Sequence, residues 1–310
     1  MTTETEFYSL DKIPSDHRSG FVAVIGRPNV GKSTLMNQFI GQKVAIVSSK
    51  PQTTRSRVLG ILTREDVQII FVDTPGLHRP RHMLGRVMVA SAASAIPDAD
   101  VVLFMVDISE PPTKEDRMIA ELIEQQTDAP VILVLNKMDL LPPEQVEPHT
   151  EAYWKLAPYY HEWMMTVATE GENLDKLLAR IVEALPEGPR YYPGDQVTDQ
   201  TMREIAAELI REQVLHYTHH EVPHSVAVVV EEFKERENDV TYVAASIFVE
   251  RNSQKGVIVG RGGRMVRQIG AAARQGIERM VGGQIYLDLW VKVRKGWRQD
   301  EQELRRLGYG

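Results

Sequence analysis

The 310-residue chain has no cysteine, which excludes disulfides, thiolate metal sites and cysteine nucleophiles together and points to an intracellular setting. It also lacks any apolar stretch near the ~20 residues of a membrane span. Its longest apolar runs, such as VVLFMV and PVILVL, are of strand length. The polar, acidic opening MTTETEFYSLDK has neither the basic nor the apolar region of a signal peptide. What is present is ordinary for a soluble protein, 43% apolar and 25% charged, in a length that suggests about two domains. The net charge of −7 hides an asymmetry: residues 251–310 carry 13 Lys and Arg against 5 Asp and Glu, net +8, which leaves 23 against 38, net −15, for residues 1–250. A basic end on an acidic body suggests a polyanion-binding module attached to a domain with another task. Solvated arginines are the bland alternative, and charge alone does not choose between them.

Residues 26–33 read GRPNVGKS, so that Gly26, Gly31, Lys32 and Ser33 fill the pattern G-x-x-x-x-G-K-[ST]. That pattern marks a loop whose backbone N–H groups wrap a nucleotide's phosphates. Glycines let the backbone approach the anion, Lys32 would reach the β- and γ-phosphates, and the Ser33 hydroxyl would face a Mg²⁺. Asn29, Val30 and Thr34 complete the expected nucleotide-binding set. The flanks fit: Phe21–Ile25 is a buried-strand run and Ser33–Ile40 a helical start, which aims a positive helix end at the phosphates.

Further strand-like runs at Val67–Val72, Val101–Val106 and Val131–Leu135 alternate with helical patterns such as Lys114–Gln125 and Leu174–Leu185. The alternation predicts an α/β fold, a mostly parallel sheet with helices on both faces and functional loops at the strand C-terminal ends. Two of those ends carry motifs. In DTPG, Asp73 can hold the Mg²⁺ shell and the Gly76 N–H can touch a γ-phosphate. In NKMD (Asn136, Lys137, Asp139), the Asp139 carboxylate can accept two hydrogen bonds from guanine N1–H and N2–H₂, which adenine does not offer. The polar loop Ser48–Arg57 lies where a P-loop GTPase keeps a mobile threonine that completes the Mg²⁺ shell, and Thr54 is the choice over Thr53.

Residues 186–200, with three prolines and two glycines, have a linker composition. A helical stripe over Thr201–Tyr217 and two strand patterns, Ser225–Glu231 and Val240–Glu250, then lead to Gly260-Arg261-Gly262-Gly263 before a helix. A G-x-x-G loop entering a helix can clamp a nucleic-acid backbone of about four nucleotides, with Arg261, Arg264, Arg267 and Arg274 adding phosphate contacts. The α-β-β-α-α-β order predicts a smaller α+β domain, a type II KH module, over residues 201–310, behind a P-loop GTPase domain over 1–185. His216, His219, His220 and His224 cluster in sequence without matching carboxylates, which suits a polar turn better than a metal site.

The motifs GRPNVGKST, PQTTR, DTPGLH and NKMD, with the GxxG loop and the tail LWVKVRKGWR, together resemble the Era family of small-subunit ribosome-assembly GTPases over about residues 18–310. The resemblance implies GTP and GDP as ligands with Mg²⁺ held by Ser33, Thr54 and Asp73. It also implies hydrolysis served by Lys32, Thr54, Asp73 and Gly76, and binding of the 16S ribosomal RNA 3′ region in 30S subunit assembly. A monomer in the cytoplasm, with peripheral contact at the inner face of the cell membrane, is the matching expectation. Leu77 stands where Ras-like enzymes place a water-orienting glutamine, so slow intrinsic hydrolysis is expected. Asn29 resembles the asparagine that helps hold a K⁺ in potassium-stimulated relatives. The last guanine loop departs from the family's Ser-Ala-x: here it is Val167-Ala168-Thr169, where Ala168 keeps the backbone N–H expected to meet guanine O6. The single P-loop excludes the double-GTPase relatives. A non-catalytic RNA-binding or chaperone protein that uses GTP only as a structural ligand is the alternative reading, and a metabolic P-loop kinase a third.

Overall fold

The computed structural model describes residues 14–80, 82–236 and 239–309, so the opening segment read above as unlike a leader lies outside the described residues. A six-stranded sheet organises the first half: β1 (Arg18–Ile25), β2 (Val58–Thr63), β3 (Val67–Asp73), β4 (Val101–Asp107), β5 (Val131–Asn136) and β6 (Glu162–Thr166), in the order β2-β3-β1-β4-β5-β6. Every pairing is parallel except that of β2 with β3. The inner strands are nearly continuous apolar runs because both their faces are covered. In β4, Val102, Phe104 and Val106 enter one core while Val101, Leu103 and Met105 enter the other. Helices α1 (Lys32–Ile40) and α5 (Leu174–Ala184) cover the second core, and α2 (Met83–Ala93), α3 (Lys114–Gln126) and α4 (Val146–Leu156) the first. Two strands had no clear sequence signal. β2 carries Gly60 at its middle, where a Cβ would lie 2.8 Å from Met36 Sδ, and β6 is a short, half-exposed EWMMT.

The second half begins with α6 (Met202–Tyr217), started by a capping box in which Thr201 and Glu204 bond each other's backbone N–H groups. A three-stranded sheet follows, β7 (Ala227–Glu235), β8 (Thr241–Val249) and β9 (Ile285–Val293), with α7 (Asn252–Val259) and α8 (Arg264–Val281) between the last two and α9 (Glu301–Arg306) after them. β7 and β8 are antiparallel, β8 and β9 parallel, which is the α-β-β-α-α-β fold expected. A bulge between Val230 and Glu232 lets β7 run past Glu231, where its apolar alternation stops. The apolar run before the GxxG loop is the end of α7.

The connecting residues 186–200 lie along the first sheet: Ile61 N–H donates to Val197 O at 2.9 Å, Leu59 N–H to Asp199 Oδ1 at 3.1 Å, and Tyr191 and Tyr192 N–H both to Gln68 Oε1. The halves also share a small core. Leu84 and Met88 of α2 pack with Ala227, Phe248, Trp297, Leu304, Leu307 and Tyr309. Trp297 is fully buried there and its Nε1–H donates to Ser225 O at 3.1 Å. Trp297→Ala should therefore cost about 3–5 kcal/mol, against a far smaller loss for Trp163→Ala at a 39% exposed position, measured by urea unfolding followed by circular dichroism.

Candidate functional site

The loops at the carboxyl ends of β1, β3 and β5 meet around one cavity of about 470 Å³. Asn29, Gly31, Lys32, Ser33, Thr34, Thr54, Gly76, Asn136, Lys137, Asp139 and Ala168 all line it, so most of the residues singled out from five separate segments come together. Gly26 and Val30 sit just beneath. A Cβ on Gly26 would lie 2.2 Å from Met105 O, and Gly31 adopts φ +108°, so glycine is required at both by close approach and by backbone conformation respectively. Val30 is buried, and its carbonyl accepts from Asn136 Nδ2 at 2.8 Å. The same Asn136 accepts, at Oδ1, from Thr166 Oγ1 and Ala168 N–H, both at 3.0 Å. One amide thereby ties the phosphate loop to the base-facing loops. Ala168, whose N–H is expected to meet guanine O6, lines the cavity, and that N–H donates to Asn136 Oδ1.

Lys32 is 6% exposed, and its ammonium donates to Gly26 O at 3.1 Å and Arg27 O at 2.9 Å. Burial lowers its pKa to about 8 despite the opposing pull of Asp73. Ser33 Oγ donates to Asp73 Oδ2 at 2.6 Å, and Thr54 Oγ1 lies 2.9 Å from Ser33 Oγ and 3.2 Å from the same carboxylate oxygen. Asp73 is fully buried, which pushes its pKa up against the pull of Lys32, Ser33 and Thr54. Its Oδ1 is buried with no hydrogen-bond partner. Two hydroxyls and a carboxylate with an orphaned oxygen form a hard, all-oxygen donor set of the kind that suits Mg²⁺. The residues fit that ion.

Gly76 is pressed against the phosphate loop: a Cβ there would lie 2.4 Å from Pro28 N, and the next N–H, of Leu77, donates to Gly26 O at 3.2 Å. Leu77 itself is fully buried in the sheet core and turned away from the cavity. Asn29 has φ +66° and its Nδ2 donates to Ser49 O at 2.9 Å, while among the described residues no donor bonds its Oδ1. Lys137 donates to Asp107 Oδ2 at 2.6 Å; burial raises the Asp107 pKa, but this ammonium and the Ser109 hydrogen bonds outweigh it and hold the carboxyl below its ordinary value. Ser49 and Gln52, in the Ser48–Arg57 loop where sequence reasoning chose only Thr54, also join the cavity wall.

In the second half, Gly260, Gly262 and Gly263 have φ of +69°, +61° and +74°, and nothing lies within 4 Å of a Cβ on Gly262, so this peptide faces open space. Arg261, Arg264, Arg267 and Arg274 are exposed. Among the described residues no carboxylate pairs with the first three, whereas Arg274 lies 3.6 Å from Glu278 and Arg267 Nη2 donates to Gly262 O at 2.6 Å. Four guanidiniums beside an uncovered glycine loop can meet a phosphate backbone. The four histidines do not gather: among the described residues no group of His, Asp or Glu is arranged to hold a metal ion, and His219 Nδ1 lies 3.3 Å from Lys50 Nζ.

Two family models match, a 50S ribosome-binding GTPase over residues 21–137 and a KH domain over residues 221–298. The chain is 48% identical to the GTPase Era of Heliobacterium modesticaldum, covering 94% of this chain and 97% of that protein, and 46% identical to the GTPase Era of Leuconostoc citreum over 95% and 97%. Among solved structures it is similar to Era in complex with MgGDPNP and nucleotides 1506–1542 of 16S ribosomal RNA, at TM-score 0.91 and 40% identity over 95% of this chain and 99% of that one. A variant of Aquifex aeolicus Era bound to GDP·AlF₄⁻ gives the same score and identity over 94% and 99%. Relatives at 40–48% identity thus match over nearly the whole of this chain and of their own length, and the chain belongs to the Era family of GTPases.

Proposed function

We propose that this chain binds GTP with Mg²⁺ in the 470 Å³ cavity, hydrolyses it slowly to GDP and phosphate, and uses the nucleotide state to control engagement of the 16S ribosomal RNA 3′ region by its KH half during 30S subunit assembly. The observation that carries the reading is that the phosphate, metal and base motifs line one cavity while Gly262 of the GxxG loop faces open space beside Arg261, Arg264 and Arg267, which among the described residues have no carboxylate partner. The relative captured with MgGDPNP and 16S RNA nucleotides supports both ligands.

In this reading the phosphate-loop N–H groups and Lys32 neutralise the β- and γ-phosphates, and Ser33, Thr54 and Asp73 hold the metal. When bound, Mg²⁺ supplies charge neutralisation on the oxygens between which the transferring phosphoryl group passes. The Gly76 N–H orients the γ-phosphate. Water attacks the γ-phosphorus, the bond to the β–γ bridging oxygen breaks, and GDP leaves. Leu77, buried, cannot orient that water, which supports a slow rate. The Asn29 Oδ1 suits a K⁺ beside the phosphates, a charge that would compensate for a missing arginine finger. The family relationship supports work as a cytoplasmic monomer.

Three measurements test this. Asp139→Asn should weaken GTP binding by roughly two orders of magnitude or more and turn preference toward xanthosine triphosphate, since the amide pairs with a xanthine edge; a variant that still prefers GTP would sink the base assignment. Turnover of the parent should be faster in K⁺ than in Na⁺, and Asn29→Ala should abolish that difference while retaining nucleotide binding; equal rates in the two salts would leave Asn29 a loop-shaping residue. Replacing Arg261 and Gly262 together by aspartates should weaken binding of a ribosomal 3′-end oligonucleotide at least ten-fold and flatten the log–log salt slope by about 1–2, with basal GTP hydrolysis unchanged. Binding equal to the parent, in a variant folded by circular dichroism, would remove the RNA role of this loop.

A further inference from the structure

Between the end of α1 at Ile40 and the start of β2 at Val58 the backbone forms no helix or strand, yet Thr54, in this stretch, sits within hydrogen-bond reach of Ser33 and Asp73. Its place is set from the other half of the molecule. Thr53 O accepts from Arg211 of α6, a fully buried guanidinium steadied by Glu208. The Val47 N–H donates to Glu212 Oε1 at 3.1 Å, and Lys43 pairs with the same carboxylate. The strongest hold is on Arg55. It is 4% exposed, and its Nη atoms donate to Val226 O, to Pro223 O at 3.2 Å and to His224 O at 3.4 Å. Its guanidinium carbon lies 5.8 Å from the Trp297 ring centre and 5.6 Å from that of Tyr309. Among the described residues no carboxylate pairs with it.

Arg55 Nη1 also donates to the Tyr309 hydroxyl at 3.4 Å, and a buried guanidinium compensated by carbonyls, one hydroxyl and aromatic rings depends on their being in place together. Adjacent residues of this loop thus hold opposite sides: the Thr54 hydroxyl belongs to the nucleotide cavity, while Arg55, one peptide away, is locked into the C-terminal half. Domain adhesion alone would also need such a cage. It would not need the caged residue to be the neighbour of the threonine beside Ser33 and Asp73, nor the preceding carbonyl to be held as well.

We propose that Arg55 is a positioning residue for GTP hydrolysis, its cage of Pro223, His224 and Val226 carbonyls and Trp297 and Tyr309 rings holding the Thr54 hydroxyl in the metal shell only while the C-terminal half is docked. This rests on the reading that Ser33, Thr54 and Asp73 hold Mg²⁺. A displacement of the second half, whatever drives it, then loosens the metal site without touching the phosphate loop. Only arginine's planar fork can reach three carbonyls and lie against two rings, so lysine is a poor substitute here.

The test uses the full chain and its Arg55→Met, Arg55→Lys, Thr54→Ala and Thr54→Ala/Arg55→Met variants. Arg55→Met should lower kcat at saturating GTP about ten-fold or more and raise the Mg²⁺ concentration for half-maximal rate, while affinity for GDP stays within about two-fold. Arg55→Lys should recover only part of the rate. The double variant should be no slower than Thr54→Ala, because both changes remove one function. Without nucleotide or metal, hydrogen exchange over residues 44–57 should quicken in Arg55→Met while both sheets stay protected. Should Arg55→Met fail to fold, Tyr309→Ala, which removes one wall of the cage, must give the same kcat loss and the same non-additivity with Thr54→Ala. A folded Arg55→Met or Tyr309→Ala variant with the parent's kcat and Mg²⁺ dependence, or losses that multiply with Thr54→Ala, would reduce Arg55 to domain adhesion. A parent chain that releases no phosphate from GTP would overturn the functional reading itself, and this inference with it.

Discussion

The Asn136 side chain is the contact on which the rest of the site depends. A carboxamide has a donor end and an acceptor end, and here the first is bound to Val30 O in the phosphate loop and the second to Thr166 and Ala168 near the base-facing loop. Loops from the ends of β1, β5 and β6 are thereby fixed to one another at the edge where the parallel strands β1, β4, β5 and β6 stop in that order. Parallel sheets place all such ends on one edge, and that is why motifs more than a hundred residues apart can share a ligand. An aspartate at this position would offer no donor to Val30 O, and a leucine neither donor nor acceptor.

Much of this was legible in the sequence because the requirements are local. A glycine is needed where Gly31 has φ +108° and where Gly26 meets Met105 O, so the pattern survives as letters. The double apolar registers of β4 and β5 read directly as strands covered on two faces. Less legible was anything decided by distant partners. β2 keeps its place through β3 and the Asp199 side chain, not through its own interrupted apolar run. Nothing in PQTTR shows what Arg55 touches, and only the fold brings Trp297 and Tyr309 to it. The hydrogen bond that occupies the Ala168 N–H depends on the same distance-blind pairing.

The two halves divide labour by charge and by exposure. The acidic first half buries Lys32 at the cavity, where burial eases its proton off at a lower pH than usual. The basic stretch over residues 251–310 leaves Arg261, Arg264 and Arg267 in water. Between them lies an apolar seam, Leu84 and Met88 against Trp297, Leu304 and Leu307, which salt does not screen, beside the charged contacts of Lys43 with Glu212 and of Arg55 and Arg211 with backbone carbonyls.

The connection between the halves has one more consequence. β2 is an edge strand, and an exposed edge of apolar strand is a template onto which another chain can add. Residues 197–199 lie along it, with Val197 O taking the Ile61 N–H and Asp199 taking that of Leu59. The crossing segment is therefore also a guard rail, closing the sheet against edge-to-edge self-association. A looser and longer connection, however well it preserved the reach between halves, would leave the backbone of β2 open to a neighbouring copy.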